Sequence, residues 1–145
     1  MLQKYFTIWI FILVIFYKLS SKIFSLSFLT FIILFMGLYI SYINPTKYFI
    51  EYKNKNYIID GFEKNLLDIY LHIFPFLFIY LKFGIEPFFN NIKIIPSLLL
   101  IILYNLLYCP NKLYHLPNYE IFLISALSLI SYILLYYFYT IYIKN

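Results

Sequence analysis

Positions 23–43 carry no Asp, Glu, Lys, Arg or His, and a stretch of that kind leaves a chain few choices. A helix that crosses the hydrocarbon of a bilayer needs about 20 mostly apolar residues, and a helix is favoured there because it satisfies its own backbone polar groups. Further apolar runs lie between lysines and turn residues at 1–20, 65–81, 94–109 and 119–143. Asn44-Pro45 ends the run 23–43, because a proline drives its predecessor out of helical geometry. Cys109-Pro110-Asn111 and Leu116-Pro117-Asn118 separate the last two runs. The pattern predicts an all-α membrane protein: one transmembrane domain over 1–145, built as a polytopic bundle of about five transmembrane helices. The run 119–143 is long enough to tilt or protrude. A cleaved signal peptide ending near Ser20-Ser21 is the rival reading of the first run. A retained helix is preferred, because the basic segment is Lys4 alone and no small-residue cleavage pattern follows.

Composition supports lipid as the solvent of these runs. The chain is 64% hydrophobic and 12% charged, whereas soluble domains are about 45–50% apolar and about 25% charged. A chain of 145 residues has too little interior to hide the surplus. The net charge of +5 does not point to nucleic acid: every basic residue is Lys, and the lysines sit singly or in twos at the ends of apolar runs. Long stems that snorkel to headgroups fit that placement better than the clustered arginine forks of a phosphate-reading surface. The single cysteine, Cys109, excludes an intramolecular disulfide and any paired-cysteine metal motif. Abundant Phe, Tyr, Ile, Asn and Lys with no Arg is also the imprint of AT-rich coding, so many aromatic positions reflect composition more than chemistry.

The polar connection 44–65 predicts a short β-hairpin. Tyr48–Tyr52 and Tyr57–Asp60 alternate apolar and polar residues on either side of a four-residue loop, Lys53–Asn56. An interfacial aromatic segment is the alternative. Five spans would place Lys4, Lys47, Lys53, Lys55, Lys64 and Lys112 on one side, and Lys18, Lys22, Lys82, Lys93 and Lys144 on the other. That margin only leans towards the first side being cytoplasmic.

The run 65–81 is the one with embedded ionisable groups. Asn65, Asp68 and His72 stand at i, i+3 and i+7 and so share a helix stripe. His72 would lie about 12 Å beyond Lys64 and Asp68 about 6 Å beyond it, at depths where a charge costs about 2.5–3.5 kcal/mol and must face other helices or water. Pro75 would free the carbonyl of Leu71 and allow a kink beside His72. Matching depths make Asn105, Ser125 and Ser128 its expected neighbours, and Asp68, His72, His115 and Glu120 are the candidate metal ligands. Gly37-x3-Ser41, Ser125, Ser128 and Ser131 would let backbones approach closely.

The polar stripe has two readings: hydrogen-bonded glue between helices, which is preferred, or a proton relay or metal site. The chain carries no nucleophile elbow, zinc-protease motif or phosphate-binding glycine loop, and no cofactor is expected. The expected role is a structural or interaction component of a membrane, with viral and organellar membranes as candidate settings. Its partners would be the lipid bilayer, other membrane proteins or a second copy of the chain. The alternatives are a small transporter or channel subunit using Asp68 and His72, and, third, a membrane-embedded enzyme.

Overall fold

The computed structural model of the protein describes residues 5–43, 47–52, 55–114 and 116–144. Its elements are helical apart from one hairpin. In chain order they are α1 (Phe6–Ile15), α2 (Tyr17–Ile23), α3 (Leu26–Ile43), β1 (Lys47–Tyr52), β2 (Lys55–Asp60), α4 (Gly61–Asp68), a π-helical turn (Ile69–Ile73), α5 (Phe74–Phe83), α6 (Ile94–Tyr108), α7 (Pro110–Leu113) and α8 (Asn118–Tyr142).

Helix α3 is the hub. It packs on α1, α2, α5, α6, α8 and the π turn, and its first two turns bury Leu26, Phe28, Leu29, Ile32 and Ile33. Phe6, Ile10 and Val14 of α1, Ile79 of α5, Ile85 between α5 and α6, Ile94 and Tyr104 of α6 and Tyr132 of α8 complete the core. Phe28 and Phe31 both meet the Tyr132 ring, at centroid distances of 5.2 and 5.6 Å, and edge contacts of this kind add specificity to the area they bury. The outer faces of the same helices remain apolar and exposed, as at Phe74, Leu77 and Leu81 of α5, Leu106 of α6, and Phe122, Ile130 and Leu134 of α8.

The five-span expectation is corrected. Among the described residues, two helices are long and apolar enough to cross a membrane: Gly61–Phe83, which runs through α4, the π turn and α5, and Asn118–Tyr142. A third is added only if α1 and α2 count together, and they meet at a bend of 110°. Phe16 leaves helical geometry there, with φ −93° and ψ 32°. The run 23–43 is shortened at its start because Phe24 is extended and Ser25 Oγ accepts the Phe28 N–H at 3.4 Å, the reach of an N-terminal cap. The resulting α3 has 18 residues and α6 has 15; both are apolar but shorter than the two long helices, and α6 falls below the lower limit of about 17 for a spanning helix.

Local chemistry explains the other boundaries. Gly84 (φ 72°) ends α5, and a β-carbon there would meet Tyr139 Oη at 2.6 Å, so glycine serves both the turn and the approach of α8. Cys109 ends α6 in the left-handed region at φ 44°, and Pro110 follows. Pro117 precedes α8, whose first turn holds Glu120 near the positive end of the helix dipole. The hairpin forms an antiparallel ladder from Lys47 opposite Asp60 to Tyr52 opposite Lys55. The second strand therefore starts at Lys55 rather than at Tyr57, and the loop is shorter than the expected four residues.

Candidate functional site

Three ionisable residues of Gly61–Phe83 turn inward against the C-terminal half of α3, whereas Glu63 and Lys82 near its ends are exposed. Lys64, Asp68 and His72 follow at four-residue intervals on one helix face, and all three are buried, at 3%, 8% and 6% exposure. Asp68 Oδ2 accepts from Lys64 Nζ at 3.0 Å and from Ser41 Oγ at 3.2 Å. Two donors on one carboxylate oxygen supply what burial takes from it. His72 Nδ1 lies 3.6 Å from Asp68 Oδ1, beyond hydrogen-bonding distance. On its other side the imidazole rests against Gly37, where a β-carbon would overlap the ring.

The backbone is specialised at this point. Residues Ile69–Ile73 form a π turn, and the Phe74 N–H donates to the Ile69 carbonyl, five residues back. Pro75 has no N–H to return to Leu71, and the wider turn just before it absorbs the irregularity without breaking the helix. Sequence reasoning allowed a kink beside His72, and the structure has a π turn at this position.

The remaining expected neighbours are placed elsewhere. Asn65 is exposed, and Lys64 occupies the inward position beside Asp68. Asn105 is exposed and donates along its own helix to the Ile101 carbonyl at 2.9 Å. Ser125 Oγ donates to the Ile121 carbonyl at 2.7 Å, and the buried Ser128 donates to the Ser125 carbonyl at 2.8 Å. Glu120 is partly exposed and accepts from Tyr119 Oη at 3.3 Å, and His115 lies outside the described residues. Among the described residues no three His, Cys, Asp or Glu side chains converge as a metal would need. Gly37 and Ser41 share the α3 face that meets Asp68 and His72.

A second polar network lies at the opposite end of α3. Ser27 Oγ and Tyr132 Oη are 2.7 Å apart, the Glu86 N–H donates to Ser27 Oγ at 3.2 Å, and Tyr132 Oη donates to the Glu86 carbonyl at 2.9 Å. Beside it the Ser25 N–H donates to Ser97 Oγ at 2.9 Å, and Ser97 Oγ donates to the Lys93 carbonyl at 2.8 Å. These bonds tie α3, the 84–93 connection, α6 and α8 together. Sequence reasoning missed the network. Ser25 and Ser27 at the start of an apolar helix were the available signal, since hydroxyls there commonly cap backbone donors.

Chemically, the Lys64–Asp68–Ser41 group is a closed charge pair, and His72 beside it is a titratable ring enclosed by α3 and the π turn. The first suits packing. The second could exchange a proton with Asp68 after a small movement. The sequence matches no protein family model, and neither a characterised protein nor a solved structure matches the chain.

Proposed function

We propose that the chain is an integral, multi-pass membrane protein whose role is structural or interactive, with Lys64, Asp68 and Ser41 serving to lock the long helix Gly61–Phe83 onto α3. The observation that carries this reading is the division of surfaces. Lys64 and Asp68 are paired inward with His72 buried beside them, Glu63 and Lys82 near the helix ends are exposed, and the outer face between those ends presents Tyr70, Phe74, Leu77 and Leu81. A face of that kind costs free energy in water and suits lipid or the flank of another membrane helix.

A second reading, a small transporter or channel subunit, is favoured by the π turn that carries His72 next to Asp68, since such turns recur at functional sites. Reconstitution separates the two. On the structural reading, liposomes holding the protein dissipate a pH gradient no faster than empty ones, and Asp68→Asn and His72→Gln proteins fold and recover like the parent. Proton flux that disappears in His72→Gln would replace the structural reading with the relay.

A further inference from the structure

The bend between α1 and α2 turns a short basic helix across the end of the bundle. Helix α2 departs from α1 at 110°. It lies beside the C-terminal end of the long span, with the Tyr17 ring 5.9 Å from Phe83 and 5.7 Å from Phe78, and Lys82 Nζ 4.4 Å above the Tyr17 ring. Its exposed residues divide into two adjoining stripes: Leu19 and Ile23, with Phe16 before them, are apolar, and Lys18 and Lys22 are cationic. Only Ser20 of this helix is buried. An apolar stripe beside a lysine stripe, set across the end of a spanning helix, is the arrangement of a segment lying in a membrane interface.

The charge around it is one-sided. Lys82 at the end of α5, Lys93 before α6 and Lys144 after α8 occupy the same end of the bundle, which is held together by the Ser25 N–H to Lys93 carbonyl contact (3.4 Å) and by the Tyr80–Tyr139 ring pair (5.9 Å). Glu86 is the one acid in the segments at this end, and its Oε1 is 3.4 Å from Lys93 Nζ. Every other acid of the sequence, Glu51, Asp60, Glu63, Asp68 and Glu120, belongs to the hairpin, to α4 or to the start of α8. There Lys64 is already bonded to Asp68. Lysine numbers alone nearly balance the two ends; the acids separate them.

We infer that the face formed by α2 and the lysines at positions 18, 22, 82, 93 and 144 docks on anionic phospholipid headgroups, with Leu19 and Ile23 entering the acyl region. This rests on the membrane reading above and adds to it a lipid class and an orientation. The α2 end faces the more anionic leaflet, opposite to the lean of a bare lysine count.

The test uses the full chain with Cys109→Ser and Leu19→Cys, the new thiol carrying a fluorophore, in phosphatidylcholine vesicles. The vesicles contain the same mole fraction of either acyl-brominated phosphatidylcholine or acyl-brominated phosphatidylglycerol. Because the bromines are on acyl chains, free phosphate cannot imitate the signal. Quenching by the anionic lipid should exceed that by the neutral lipid by about twofold or more. The excess should vanish in Lys18→Gln/Lys22→Gln and persist in Lys55→Gln/Lys112→Gln, which removes the same charge from the other end. Equal quenching by the two lipids, or an excess that survives loss of Lys18 and Lys22, would overturn the inference. Absence of quenching by either lipid in protein that stays with the vesicles would do so too, and protein that leaves the vesicles would also end the membrane reading.

Discussion

Gly37 holds the His72 imidazole against α3: any side chain at position 37 would occupy the volume of the ring. Gly37→Ala should therefore push His72 out of its place and destabilise the protein by about 1–3 kcal/mol, the usual scale for overpacking a filled site. Detergent-solubilised protein unfolded by denaturant gives the measurement. Adding His72→Ala should recover much of the loss, because the two residues share one space and their effects are coupled. Equal costs in the two backgrounds would mean that Gly37 is conserving something other than room for His72.

The Lys64–Asp68 pair makes a sharper statement about what is buried. Removing one member strands the other, so Asp68→Leu and Lys64→Met should each cost about 3–5 kcal/mol, while the double replacement should cost much less than their sum. Asp68→Asn keeps an acceptor for Lys64 and Ser41 and should be milder than Asp68→Leu. Additive single costs, read from the same unfolding curves, would show that the pair is not the unit.

Tyr132 supplies the hydroxyl that meets Ser27 and the Glu86 carbonyl. Tyr132→Phe retains the ring contacts and removes only that group, so a loss of about 1–2 kcal/mol is expected. Ser27→Ala removes the acceptor of the Glu86 N–H as well and should cost at least as much. Helix α8 should also loosen from the 84–93 connection, visible as faster amide exchange at Glu86. Unchanged exchange in both variants would detach this network from the packing of α8.

Cys109 ends α6 with a positive φ that L side chains rarely adopt. Cys109→Gly should raise stability by about 1 kcal/mol by removing the steric cost of the left-handed region. A lower melting midpoint would mean that the thiol makes a contact worth more than the strain.

The parts of this architecture that were legible in the sequence are those set by local pattern. Alternation around Lys53–Asn56 announced the hairpin, and the charge-bounded run after Asn65 announced the helix that now extends from Gly61. The Asp68/His72 spacing announced a shared face, because four residues nearly complete a turn. Other features depend on partners distant in the chain. Nothing at Phe16 marks a bend, since no proline or glycine stands there and the break is decided by how α2 packs on Phe78 and Phe83. Tyr132 reads as one aromatic among many until Ser27 and Glu86 are brought to it. Lys64 looked like a snorkelling flank because its burial requires Asp68 and α3 together. The count of spans rested on apolarity alone, which measures how much a run avoids water and does not register that the first half of α3 is covered by other helices of the same chain.

Membrane integration itself is tested most directly by alkaline carbonate extraction of membranes from cells making the full chain, followed by detergent. Peripheral proteins held by charge leave under carbonate, whereas a chain with its apolar helices in hydrocarbon stays until the bilayer is dissolved. The account predicts that the protein remains in the carbonate pellet and enters solution with detergent. Recovery of folded, monodisperse protein in the carbonate supernatant would contradict it.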